Sequence, residues 1–290
     1  MAFINTLLSY GTAILSSFAF LVLSAIGLAV IFGMMGIINL AHGEFILLGV
    51  YGTALSYHEI GLPLVLAMLV GALVPSVVGW VLERTVIQHL YTRPTDSMVA
   101  TWGVSLITIE GLLLLFGPSY PGIQRPFGPV RVGTFSAPIY TFVLMGLAVG
   151  ILLFTYYIFM YTEFGLRARA TLQNEEAAHS LGVDTQSIYT KTFVLGSFLA
   201  GIVGGLYAPV ISVEPNAGSR FVIAAFVTVI VGGANVLMGT FLSGSILAVI
   251  EGIGAQLVGT FFGRALLLIA AILVIRIAPQ GVSTFIGEYE

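Results

Sequence analysis

Long apolar runs follow one another along the whole chain, separated by short stretches that are polar or rich in Gly and Pro. A helix crossing a bilayer needs about 20 consecutive apolar residues. The pattern predicts spans over about 12–33, 36–57, 62–82, 98–117, 137–161, 189–210, 221–236, 240–258 and 264–278. The count falls to about eight if one of the short segments is re-entrant. Runs such as LLLIAAILVI do not alternate in the two-residue rhythm of a membrane barrel strand, so a transmembrane β-barrel is excluded. The expected fold is all-α, a polytopic transmembrane helical bundle of about 8–9 spans. It is read as one membrane domain over residues 1–290.

The longest polar interruption runs from Glu163 to Thr192 and holds Glu163, Arg167, Arg169, Glu175, Glu176, Asp184 and Lys191. Apolar runs flank it on both sides, so it has to leave the bilayer. Within it, local signals predict a short helix from about Asn174 to Leu181, ended by Gly182 in a left-handed conformation. Such a helix would show alanines and acidic side chains to a partner, with Arg167 and Arg169 beside it. Placing this loop in the cytoplasm puts Arg84, Arg93, Arg167, Arg169, Lys191 and Arg276 inside, and Arg125, Arg131, Arg220 and Arg264 outside. That bias agrees with the positive-inside rule and places the C-terminus inside as well. The Gly- and Pro-rich stretch 118–136 then lies outside and would form an ordered cap or a mobile flap.

Two places break the apolar pattern at membrane depth. GMMGIINLAHGEF, from Gly33 to Phe45, brings Asn39, His42 and Glu44 where polar groups are costly. VGGANVLMGTFLSGS, from Val231 to Ser245, carries Asn235 among glycines. Irregular backbone survives at that depth only inside protein or beside water, so both segments are candidates for lining a translocation pathway. Packing glue between helices is the competing reading for His42 and Glu44 taken singly. Most glycines, such as Gly201 and Gly204, form small-residue faces for close helix approach. Glu110 and Glu251 also fall within expected spans and call for a partner arginine or a raised pKa.

Composition narrows the function classes. Of the 290 residues, 58% are hydrophobic and 8% charged, and the mean hydropathy is +1.06. A net charge of −3 gives no footprint for nucleic acid, and with no cysteine there is neither a disulfide nor a thiolate metal site. The N-terminal residues lack the basic region of a cleaved signal peptide and are read as part of the mature chain. No H-E-x-x-H is present, and Gly103-Val104-Ser105 has no persuasive histidine base. A Walker A loop needs Gly-Lys-Ser/Thr, whereas the single lysine, Lys191, follows Thr190. Catalytic residues are therefore expected to be none, and metal ligands none.

Glu176-Ala177-Ala178, followed three residues later by Gly182, resembles the coupling-helix motif of bacterial ABC importer permeases. Together with INLAHGEFILLGVYGT, GLRARATLQNEEAAHSLGV and TFVLGSFLAGIVGGLYAP, it resembles the permease subunits of the branched-chain amino acid importer family, the LivH type. The likeness runs from about residue 20 to about 280. One departure is that Thr192-Phe193-Val194-Leu195 stands where the wider motif ends in Ile-x-Leu-Pro.

The resemblance implies an ABC importer permease fold and a bacterial inner-membrane, multi-pass protein. It implies a second homologous permease subunit, two cytoplasmic ATPase subunits and a periplasmic substrate-binding protein as partners, with ATP held by the ATPases and no cofactor in this chain. It assigns ATPase coupling to Arg167, Arg169, Glu175, Glu176, Ala178, Leu181 and Gly182. Branched-chain amino acids are the expected substrates. Thr101-Trp102-Gly103-Val104-Ser105-Leu106, Phe116-Gly117-Pro118 and Leu172-Gln173-Asn174 look more like the urea and short-amide branch, which is the alternative. A self-sufficient secondary transporter or channel, titrating through Glu110 or Glu251, is the reading from another class.

Overall fold

The computed structural model describes residues 2–91, 93–233 and 235–284. Its helices are α1 (Ala2–Met35), α2 (His42–His58), α3 (Leu64–Thr85), α4 (Pro94–Phe116), α5 (Ile139–Tyr161) and α6 (Glu163–Gln173). They continue as α7 (Glu175–Ser180), α8 (Thr185–Tyr207), α9 (Ser219–Gly232), α10 (Val236–Val258) and α11 (Thr260–Ile277). Among the described residues, seven helices are long and apolar enough to cross a bilayer, and α9 is apolar but shorter. The chain is an all-α polytopic membrane protein.

The expected spans meet the observed helices with two informative differences. First, α1 begins at Ala2, well before residue 12, because nothing in its first turns stops a helix. Second, the expected span 36–57 does not start at 36. The chain turns at Gly36 (φ +65°) and resumes as the 17-residue α2 only at His42.

Contacts divide the chain into two compact units, with α1, α5 and α9 contributing to both. One unit comprises Ile26–Gln124 and Phe154–Ile223. Its centre is the mutual packing of α2, α3 and α8. Gly201 explains how close these helices come: a Cβ there would stand 2.7 Å from both the Cα and the carbonyl oxygen of Ala72 on α3. On the α2 side, a Cβ on Gly49 would stand 2.5 Å from the Gly201 carbonyl oxygen. Without a hydrophobic drive between helices in lipid, such backbone-level approach supplies the dispersion contact that holds them. Phe45 and Phe193 fill the space between α2 and α8 edge-to-face, ring centres 6.1 Å apart.

The other unit comprises Met1–Ala25, Arg125–Leu153 and Ala224–Glu290. Here α10 folds back into α11 through Gly259 (φ +92°). Within the pair, the Glu251 carboxylate lies 3.8 Å from the Arg264 guanidinium, which also sits 5.8 Å from the Phe20 ring. A partner arginine therefore accompanies this intramembrane carboxylate. The stretch 118–136, expected as an ordered cap or a mobile flap, carries strand β1 (Pro129–Val132), which pairs antiparallel with β2 (Phe135–Pro138) around a turn at Gly133. Asn5 ties that turn to α1 by donating to the Thr134 hydroxyl at 2.5 Å.

Candidate functional site

The polar interruption folds into two helices where the sequence suggested one. Thr162 ends α5 in an extended conformation. Its hydroxyl donates to the Ile158 carbonyl at 2.6 Å and accepts the Gly165 amide at 3.2 Å, which caps α6. A side chain at Gly165 would meet the carbonyls of Ile158 and Phe159, so glycine permits this sharp reversal. On α6, Arg167 pairs with Glu163 at 3.2 Å across one turn, while Ala168 and Thr171 face inward. Arg169 is half-buried, and its Nε has no hydrogen-bond partner among the described residues.

Helix α7 carries the EAA residues. The Asn174 side chain accepts the Ala177 amide at 2.9 Å, and Glu175 and Glu176 occupy the first turn, where carboxylates are favoured by the helix dipole. At the other end, the Val183 amide donates to the Ala178 carbonyl at 3.0 Å and the Gly182 amide to the His179 carbonyl at 2.9 Å. With Gly182 at φ +85°, this is a complete Schellman ending. Glu176 and Gly182 are exposed, and Leu181 is 85% exposed despite being apolar. Ala178 was expected among the outward contacts, but it is buried. Its methyl docks α7 onto the body formed by α6 and α8.

A polar cluster under α7 was not singled out from the sequence. Glu83, the penultimate residue but one of α3, is fully buried and accepts a short hydrogen bond from the Tyr91 hydroxyl. Gln186, in the first turn of α8, donates toward Glu83 at 3.3 Å and lies 3.4 Å from the Tyr91 oxygen. The Tyr91 ring tilts against Tyr189 with centres 4.6 Å apart, and the Tyr189 hydroxyl lies within electrostatic reach of Glu175 of α7. Burial, and then the bond to Glu83, holds the Tyr91 phenol well above its ordinary pKa. The chain Glu175–Tyr189–Tyr91–Glu83 thus links the exposed helix to the end of α3. An acidic residue next to Arg84 in the last turn of an apolar helix was the one available signal; its partners lie elsewhere in sequence.

The first broken segment lies between α1 and α2. Its loose backbone groups are satisfied from within the loop and from α4. Asn39 Oδ1 accepts the Ala41 amide at 3.0 Å, and the Thr101 hydroxyl accepts the Leu40 amide at 3.0 Å. Asn39, His42 and Glu44 are all buried. The His42 ring packs where a Cβ on Gly27 would come within 3.0 Å of its Cε1. Glu44 stands in the first turn of α2, with the Ser105 hydroxyl of α4 near its carboxylate. Asn39 Nδ2 and Glu44 Oε2 are buried with no hydrogen-bond partner among the described residues.

The second broken segment belongs to the other unit. Gly233 has φ +81°, and the C-terminal stretch closes the gap: the Val282 amide donates to Val231 at 2.9 Å, and the Ser283 amide to Gly232 at 3.1 Å. Asn235 caps α10 through the Met238 amide at 3.4 Å, and its own amide donates to the Ser283 hydroxyl at 3.2 Å. Asn235 is exposed, unlike the three polar residues of the first break. A remote hydroxyl, Thr101 in one unit and Ser283 in the other, thus completes each interrupted helix. Glu110 is exposed on α4 and belongs to neither break.

Comparison with known families agrees with this architecture. The family described as "Branched-chain amino acid transport system / permease component" matches residues 11–277, and the chain belongs to it. It is 27% identical over 276 residues to the high-affinity branched-chain amino acid transport system permease protein LivH of Escherichia coli K12, covering 90% of each chain. A protein of Methanocaldococcus jannaschii described as a probable LivH permease is 26% identical, with 91% of this chain and 88% of that one covered. The permease BraD of Pseudomonas aeruginosa PAO1 is 25% identical over 90% of both. No solved structure matches.

Proposed function

We propose that this chain is a membrane subunit of an ABC importer for branched-chain amino acids, seated in the cytoplasmic membrane with α6, α7 and the C-terminus on the cytoplasmic side. In this reading a second homologous permease completes the pathway, two ATPase subunits bind ATP, and a periplasmic binding protein delivers the substrate. The observation that carries it is α7. A family member matched over residues 11–277 exposes, in its longest polar stretch, a doubly capped helix bearing Glu176, Leu181 and Gly182.

Mechanistically, α7 can couple because it is stiff and tied down. Motion of an ATPase against Glu176 and Leu181 would pass through Glu175, Tyr189, Tyr91 and Glu83 to α3 and α8. Coupling requires that the ATPase contacts differ between its two states; the chain supplies the rigid element both states bias. At the first break, the unpartnered Asn39 Nδ2 and Glu44 Oε2 favour a place beside the hydrated pathway, since buried polar atoms without partners cost about 1–3 kcal/mol each. Reconstitution into liposomes tests the proposal. Leucine uptake is expected only when the second permease, the ATPases, the binding protein and ATP are all supplied. Uptake by this chain alone would instead support the self-sufficient transporter.

A further inference from the structure

Along the open edge of the α3–α8 contact, α3 presents Leu73, Ser76, Trp80 and Arg84, spaced as one helical stripe. The facing stripe on α8 carries Thr190, Lys191, Val194, Leu195 and Phe198. The two line an open groove of about 600 Å³. Its chemistry is graded from end to end. Arg84, Thr190 and Lys191 gather at the end nearest α6 and α7, Trp80 stands one turn deeper, and Leu73 and Phe198 close the apolar end. Leu73 and Arg84 are eleven residues apart, about 16 Å at the helical rise. That is about half of a ~30 Å hydrocarbon core, the depth of one leaflet.

We infer that this groove binds one anionic phospholipid, with its phosphate at Arg84 and Lys191 and one acyl chain along Trp80, Val194 and Phe198. Charge complementarity selects the occupant. Lys191 forms no ion pair among the described residues, and Arg84 has only Glu83, at 3.9 Å, beside it. Glu83 Oε1 takes the bonds from Tyr91 and Gln186, and Oε2 offsets part of the Arg84 charge, so Lys191 is the uncompensated cation of the pair. Glu163, which lines a neighbouring pocket with Lys191, pairs with Arg167. Two cations held at the headgroup level between transmembrane helices, above an apolar slot with an interfacial tryptophan, match a phosphodiester joined to hydrocarbon. The lipid would brace α3 against α8 next to the Glu83 cluster.

Trp80 reports directly on the groove, since the chain has two tryptophans. In a Trp102→Phe background in detergent, dibrominated phosphatidylglycerol and dibrominated phosphatidylcholine are titrated and Trp80 fluorescence followed. Saturable quenching by phosphatidylglycerol is expected, half-saturating at least about five-fold lower than phosphatidylcholine. Lys191→Gln with Arg84→Gln should bring the two curves together, and Lys191→Arg should leave them apart. Should the double variant fail to fold, Lys191→Gln alone, which breaks no ion pair, must still narrow the gap. Coincident curves for the two lipids, or a preference that survives Lys191→Gln, would overturn the assignment.

Discussion

The Thr101 hydroxyl on α4 accepts the amide of Leu40 at 3.0 Å, across the break between α1 and α2. The same oxygen lies 2.7 Å from the Ser97 carbonyl, to which it gives its proton. One fully buried side chain thereby satisfies a part-buried amide of the interrupted backbone. Thr101→Val keeps the shape and removes the acceptor. It should destabilise the protein by about 0.5–1.5 kcal/mol, the net worth of a typical hydrogen bond. Thr101→Ser should recover most of that loss. Thermal unfolding in detergent measures both, and equal stability of Thr101→Val and the unsubstituted protein would contradict the role.

Gly201 allows α8 to touch α2 and α3 at backbone level. Gly201→Val would place two methyl groups against Ala72 and Pro75, so about 1–3 kcal/mol of overpacking cost is expected, or more if backbone must move. Gly103→Ala on α4, where a Cβ meets nothing within 4 Å, is the control and should be near neutral. Comparing the two unfolding midpoints checks the packing account.

Gly182 ends α7 at φ +85° in open space, so only backbone strain opposes a side chain there. Gly182→Ala should cost about 1–2 kcal/mol locally and loosen α7 without displacing the spans. Glu176→Lys should leave folding intact and reverse a charge on the exposed face. Together with Gly182→Pro, it should lower uptake while ATP hydrolysis by the assembled transporter continues. Unchanged uptake in that double variant would show that α7 is not the coupling element.

Much of this arrangement was legible because its causes are local. Asn174 as a cap, two carboxylates in the first turn and glycine at the end define α7 within nine residues of sequence. Apolar run length likewise gives the spans. Residues acting over long sequence distances were not legible. Leu40 and Thr101, or Glu83 and Gln186, meet only after the helices have packed. Ala178 shows the same limit in reverse. Its place in the motif suggested an outward contact, but only the packing of α7 on α6 and α8 reveals that it faces inward.

Tyr91→Phe should uncouple more than it destabilises. Loss of the hydroxyl leaves the buried Glu83 one donor short, a cost of about 1.5–3 kcal/mol for a bond to a charged group. It also cuts the path from α7 to α3. The number of ATP molecules hydrolysed per leucine imported should rise, and Tyr91→Trp, which keeps ring bulk and an N–H donor, should be milder. A ratio identical to that of the unsubstituted transporter would remove the cluster from the coupling route.

Alkaline pH should expose the tyrosines outside the spans. Burial and the bond to Glu83 raise Tyr91, and burial and the bond to Glu59 push Tyr120 up to about 12. Both are neutral when protonated, and an unfolded tyrosine titrates near ~10. Their contribution is therefore complete below pH ~10 and is lost as the pH climbs from there toward the folded values. Unfolding temperature should be level up to pH ~10 and then fall, with Tyr120→Phe shallower. A rise in stability above that point would reverse the sign of the argument.

The central claim is that α7 is the docking surface for an ATPase, and affinity capture of the tagged protein from its own membranes in mild detergent tests it most directly. Mass spectrometry should find an ATPase subunit and a second permease with the unsubstituted chain, and the ATPase should be depleted for Glu176→Lys with Gly182→Pro while the permease is retained. Recovery of the chain without any ATPase, under conditions where it transports substrate in liposomes without ATP, would contradict the account.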